Sequence, residues 1–232
     1  MLLTLYIWHT NLDIIDFFIL NHYNKYVTES IMNTLVKSVS RQIVGSITRL
    51  NMSIEKIYDY FRSYDKETYQ VFACGDDTPS EQDIEAFESE FNIKLPEDFK
   101  EFTMSPLGGL YMEVREEIWP MAQEYEVAPF WEFCRGIMVY GISSEVPEYL
   151  DLRANTRAFH ESGLSDCIPF FSVIGDGEQI FCFDREGKIV VFDGYEMHDV
   201  EGDFESFLLG QIAELEERKD KKVEKLKNRA GR

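Results

Sequence analysis

The residues able to do chemistry in this chain are mostly carboxylates. Between Glu113 and Glu132, the glutamates Glu113, Glu116, Glu117, Glu124, Glu126 and Glu132 are interleaved with Trp119, Tyr125, Phe130 and Trp131, and Pro120 and Pro129 stiffen the stretch. Clustered carboxylates steer a cationic surface toward themselves, and large rings with a polar edge anchor it on arrival. The composition fits a contact surface for another protein, and it fits equally a loop whose tryptophans pack inward while its glutamates are solvated. A second acidic point, Gly175-Asp176-Gly177-Glu178, lies between two predicted strands, so Asp176 and Glu178 sit in a turn at a sheet rim. Its glycines lack the strand-to-helix context of a dinucleotide fingerprint, and no GxxxxGK[ST] occurs.

Catalytic patterns are missing from the sequence. His9, His22, His160 and His198 belong to no Ser, Cys or metal motif, no HExxH occurs, and His160-Glu161 lacks the PCxxC partner of a zinc deaminase. Cys74, Cys134, Cys167 and Cys182 stand far apart without a CxxC pair. The remaining enzymatic reading is a hydrolase using Asp166, Asp176, Glu178 and Asp184 around a divalent ion. It rests on composition alone, in a chain so acidic that some carboxylates must cluster by chance. The expectation is therefore no catalytic residue, no metal and no cofactor.

The 232 residues carry 43 acidic against 23 basic side chains, a formal charge of −20. Such a surface repels polyphosphate, which excludes a nucleic-acid interface and favours a basic protein partner. The charge is uneven: residues 1–51 carry +1, residues 52–217 carry −27 and residues 218–232 carry +6. Residues 1–51 read as an extension outside the domain, and Met52-Ser-Ile-Glu resembles a second start. Asp13 and Asp16 interrupt the apolar run in Met1 to Leu20, so no membrane span is expected, and no signal-peptide pattern precedes it. Unpaired cysteines and no leader suggest a reducing, cytoplasmic setting.

The elements follow from periodicity. Ser53 is placed to cap a helix bearing Ile54, Ile57, Tyr58 and Phe61, and Ser80 with Asp83 forms a capping box ahead of Ile84, Phe87 and Phe91. Asn92 stops that helix, and Pro96 starts the next at its N1 position. Beyond Gly108-Gly109, strands are predicted over 110–114, 136–142, 168–174, 179–183 and 188–192, the last two joined by a turn at Asp184–Gly187. A helix from about Asp203 buries Phe204, Phe207, Leu208, Ile212 and Leu215, and its basic end, 218–232, reads as a solvated tail. The expected fold class is α+β, a predominantly antiparallel sheet with N-terminal helices and a long C-terminal helix, spanning 52–217.

Ser80-Glu-Gln-Asp-Ile-Glu-Ala-Phe-Glu, then Ile93-Lys-Leu-Pro-Glu-Asp-Phe-Lys-Glu-Phe with its LPxDF element, then Gly108-Gly109, resembles the opening of the SUKH superfamily. That superfamily groups fungal cell-wall-assembly regulators of the SMI/KNR type with bacterial immunity proteins. Ile168-Pro-Phe-Phe, Gly175-Asp-Gly, Ile180-Phe-Cys-Phe-Asp, Gly187-Lys-Ile-Val and Phe204-Glu-Ser-Phe-Leu follow its order of strands and closing helix. The resemblance covers roughly 52–215 and implies a non-enzymatic protein-binding domain, an immunity protein or antitoxin that neutralises a cognate toxin, often a nuclease. A regulatory scaffold unconnected with toxins is the alternative. The stretch from Trp119 to Cys134 departs from the family pattern as an insertion, where a partner-facing surface is expected.

Overall fold

The computed structural model describes residues 54–121, 127–143, 146–163, 167–177 and 179–230. The expected extension, 1–51, and the expected cap Ser53 lie outside them. In chain order the elements are α1 (Glu55–Ser63), β1 (Tyr69–Phe72), α2 (Glu81–Phe91), α3 (Glu97–Thr103), β2 (Tyr111–Val114), β3 (Gly136–Val139), α4 (Leu152–Glu161), β4 (Ile168–Ile174), β5 (Ile180–Phe183), β6 (Ile189–Phe192), β7 (Met197–Asp199) and α5 (Phe204–Ala230). Short 3-10 turns occupy Phe130–Glu132 and Glu148–Leu150. The seven strands form one antiparallel meander in sequence order, and the class is α+β as expected. Among the described residues no helix is long and apolar enough to cross a membrane.

Alternation along the strands divides the sheet into two faces. Met112, Val114, Ile137, Val139, Phe181, Phe183 and Ile189 enter the main core, where α1, α3 and α5 lie. Cys182 and Val190 point the other way, against Phe159 of α4. In β4 the register shifts between Pro169 and Phe171, so Phe170 and Phe171 both face the helices despite being consecutive. Phe170 stacks on Phe183 at 3.9 Å and meets Phe99 of α3 and Phe204 and Phe207 of α5 edge-on. Such offset and T-shaped pairs add about 0.5–1.5 kcal/mol each beyond burial.

Three elements differ from expectation by omission. β1 is a half-buried strand without a clean alternation, α4 is a polar helix with only Leu152, Thr156 and Phe159 buried, and β7 is three exposed residues. β3 ends at Val139 rather than residue 142, because Gly141 leaves the ladder to bridge Asp151 and its backbone touches Gly109, where any Cβ would collide. Pro96 is the N-cap of α3 rather than its first residue. The capping box of α2 and its left-handed stop at Asn92 are formed as read.

The LPxDF element acts through its side chains. Glu88 of α2, buried, accepts the Leu95 amide at 2.9 Å and pairs with Lys100 at 2.9 Å and with Lys94. Burial opposes its ionisation, but the two ammonium groups and the Leu95 amide outweigh burial and lower its pKa. Phe99 enters the aromatic cluster, and Asp98 reaches across the fold to accept the Phe204 amide at 2.8 Å. That amide is one of the unpaired donors at the start of α5, so Asp98 caps a helix 106 residues away in sequence. Asp203 caps the same turn locally through Ser206, and Glu205 pairs with Lys56 of α1.

The far end of α5 is also fastened. Leu215 is the last large apolar residue in the expected stripe, yet the helix runs on to Ala230, and its basic half is fastened at some positions while Lys221, Lys227, Asn228 and Arg229 are exposed. Glu132, almost wholly buried, pairs with Lys222 at 2.7 Å and with Lys225, and Arg218 donates to the Cys134 carbonyl at 3.1 Å. Lys222 is itself buried. Solvation holds for the last described turn but not for Arg218, Lys222 and Lys225, which meet acceptors distant in sequence that periodicity within the helix does not reveal.

Two outcomes follow from these anchors. Asp98→Ala is expected to cost about 1–2 kcal/mol in urea unfolding, and Asp98→Asn less, since an acceptor remains. Burial raises the Asp98 pKa, Asp203 adds to the rise, and the amides of Phe204 and Phe99 oppose it. The proton-linked part of its contribution to stability is therefore complete below the ordinary carboxylate range and lost as pH rises through the raised value, so Asp98→Asn should flatten that stretch of the stability curve. An unchanged slope refutes this. For Glu132 the sign is opposite: burial works against its charge, but Lys222 and Lys225 hold its pKa below the ordinary value. Its contribution is present above that value and disappears on acidification, so the protection of amides over residues 218–230, measured relative to their intrinsic exchange rates, should fall as pH drops below ~4. Glu132→Ala, which leaves Lys222 buried and unpaired, should cost about 3–5 kcal/mol.

Candidate functional site

The chain leaves the sheet at the end of β2, just ahead of the expected insertion from Trp119 to Cys134. Ile118 and Trp119 both donate to the Arg115 carbonyl, closing a turn that leaves Glu116 and Glu117 exposed. Trp119 then turns inward and is buried, its indole N–H bonded to the Glu132 carbonyl at 3.1 Å. Trp131, half-buried, meets it edge-on with centroids 6.3 Å apart, and the Lys222 ammonium lies 6.0 Å from the Trp119 ring centroid. A tryptophan can be buried here because its single polar atom finds an acceptor.

Glu113 and Arg135 tie the start of this insertion to its end. They form a bidentate pair, with Nε and Nη2 at 3.0 and 2.9 Å from one carboxylate oxygen. The third guanidinium nitrogen donates to the Trp119 carbonyl at 3.2 Å, and Gln70 of β1 donates to the other Glu113 oxygen. Burial, with the charge and hydrogen bonding of Glu113, pushes the Tyr111 hydroxyl up to about 12, so it stays protonated across the physiological range. Gly136 leaves room for this arrangement, since a Cβ there would strike Glu113, Ile174 and the Met112 carbonyl.

The turn after β4 joins the same block. Gly175, at φ +91°, lies so close to the Phe133 carbonyl that any side chain would collide with it. This contact sets Asp176 beside the insertion, where its charge adds to burial in raising the Cys134 pKa. Asp176 also accepts the Gln179 amide at 3.1 Å.

The structure thus sorts the candidate residues. Glu113, Trp119 and Glu132 are interior parts of the frame, satisfied by Arg135, the Glu132 carbonyl, Lys222 and Lys225. Trp131 is partly exposed, Asp176 borders the block, and Glu116 and Glu117 stand on its rim. Glu124, Tyr125, Glu126 and Glu178 lie outside the described residues. The same stretch of chain carries exposed apolar residues: Met121 is 62% exposed, Phe130 54%, and Val127 fully so. Sequence reading missed Arg135, Lys222 and Lys225, whose partners are 22, 90 and 93 residues away. It also missed Met121, which carries no signal beyond its position between aromatic residues.

Other chemistry-bearing groups have local duties. Asp184 accepts the Glu186 and Lys188 amides at 2.8 Å within its hairpin, His160 lies 3.0 Å from the Cys167 carbonyl, and His198 is 3.1 Å from Asp193. All four thiols are free. Among the described residues no group of three or more His, Cys, Asp or Glu side chains is placed to hold a metal; Asp166 and Glu178 lie outside them.

No curated protein matches this chain significantly. A family model does: it spans residues 78–210, from just ahead of the α2 capping box, through LPxDF and strands β2 to β7, into the first turns of α5. More than half of the chain is matched in the order in which the structure assembles it, and the protein belongs to the SMI1 / KNR4 family (SUKH-1).

Proposed function

We propose that this protein is a non-enzymatic binding domain acting in the cytoplasm as an immunity factor, which docks the rim of its insertion on the basic, nucleic-acid-binding surface of a toxin and covers the active site. One observation carries the reading: Met121, Val127 and Phe130 are each exposed, as are Glu116 and Glu117, in a stretch of chain whose ends are held by charges paired inside. Large apolar side chains kept in water beside carboxylates suit a partner that is both cationic and apolar. The frame is held before binding, which lowers the ordering cost at contact. The −27 charge of residues 52–217 adds long-range attraction that accelerates encounter and is screened beyond about 8–10 Å at physiological salt.

The test is capture of partners from the native host, identification by mass spectrometry, and stopped-flow binding with the recovered protein. Phe130→Ala should weaken binding roughly tenfold to a hundredfold through faster dissociation, with little change in thermal midpoint. Glu116→Lys combined with Glu117→Lys should slow association and flatten its dependence on salt. A partner without a basic surface, or an association rate indifferent to salt, sinks the proposal. A toxin gene immediately upstream would favour immunity over a regulatory scaffold.

A further inference from the structure

The two edges of the sheet are built differently. β7 is three exposed residues with Glu196, His198 and Asp199 in or beside it, the short and charged kind of edge that discourages pairing. β1 is longer in effect: the run Tyr69-Gln70-Val71-Phe72-Ala73 contains no charge and no proline, and the chain stays alongside its neighbour through the Cys74 N–H to Gly108 carbonyl bond. The register pairs Gln70 with Glu113 and Phe72 with Tyr111, and the Arg115 amide donates to the Thr68 carbonyl. Even-numbered residues of β1 therefore make the ladder, and the peptide groups of Val71 and Ala73 face outward. No described strand pairs there.

A groove adjoins this edge. Phe72, 61% exposed, with Ala73, Cys74, Gly109, Pro147 and Tyr149, lines a cavity of about 270 Å³. Phe72, Tyr111 and Tyr149 succeed one another at 6.1 and 6.5 Å, an aromatic wall beside an open set of backbone donors and acceptors. Asp65 and Glu67 stand at one end of the strand and Asp76 at the other, with Lys66 as the only cation from residue 65 to residue 77.

We infer that the outer edge of β1 is a docking site for an extended, positively charged segment of a partner protein, which adds an eighth strand and places an apolar side chain in the groove. The backbone of Val71 and Ala73 supplies two donors and two acceptors, the groove selects a side chain, and the flanking carboxylates select the charge of its neighbours. A second copy of this chain is disfavoured by the same charges: antiparallel pairing of two β1 strands opposes Asp65 and Glu67 of one to Asp76 of the other, between molecules of charge −20. This edge is argued from other residues than the insertion rim, so it stands or falls independently of the immunity reading.

The probe is a short acetylated peptide alternating valine and lysine, titrated into the isotope-labelled full chain and followed by amide shifts and hydrogen exchange. Binding should move and protect the amides of Val71 and Ala73. Ala73→Pro removes one outward N–H without touching the ladder to β2, as edge strands tolerate; it should weaken the peptide roughly tenfold or more at an unchanged thermal midpoint. Phe72→Lys, at an exposed position, should do the same by charge repulsion and keeps the test valid if the proline variant does not fold. An N-methylated peptide should not bind. Affinity unaffected by both substitutions, or shifts confined to Glu116–Glu132, overturns the inference. A dimer in sedimentation that Ala73→Pro abolishes would assign the edge to a second copy and overturn it as well.

Discussion

The fold hangs on carboxylates that hold the two ends of α5 from elsewhere in the chain. A helix of 27 residues is about 40 Å long, but its buried apolar stripe stops at Leu215, so its free amides and distal cations need partners supplied from outside. Asp98 meets the first need and Glu132 the second. Between them Phe204, Phe207, Leu208, Ile212 and Leu215 cover the sheet, and Glu216 accepts the Tyr60 hydroxyl at 2.9 Å, so α1 is held against the same helix. Loss of either carboxylate would loosen more than its own contact, since α1, the aromatic cluster and the insertion all bear on α5.

This explains why LPxDF is compact. Leu95 and Phe99 fill the core, Pro96 fixes the start of α3, and Asp98 spans to α5, while Glu88 returns from α2 to hold the Leu95 amide. Five residues thereby connect α2, α3, α5 and, through Phe99 against Phe170 and Phe183, the sheet.

Local signals in the sequence identify what is local in the structure. The Ser80 box, the Asn92 stop, the Asp184–Gly187 turn and the stripe from Phe204 to Leu215 involve residues within a few positions of one another, and all are formed. β1 and α4 escaped because their burial is set by what packs on them. Val71 is only partly covered, and α4 buries three residues of ten behind an Asp151 cap that periodicity does not flag. The candidate site divides on the same line. Its acidic and aromatic composition is legible at once, but the distinction between Glu132, sealed with Lys222, and Glu116, in water, depends on contacts across 90 residues.

That distinction changes how the charge of the molecule should be understood. Glu113 and Glu132 count toward the −20 as fully as Glu116 and Glu117, but each is neutralised at contact distance by cations that share its burial, so neither projects much local field. Net charge governs the approach of a distant partner, whereas the groups met at contact are those left over after internal pairing. Between Val114 and Arg135 the described residues of this kind include Glu116, Glu117, Met121, Val127 and Phe130; at the β1 edge they are peptide groups, an aromatic wall and flanking carboxylates. In the two docking readings proposed above, the surplus of acid over base acts as a long-range guide to small and mostly uncharged surfaces, and the paired carboxylates are the fixed frame that carries them.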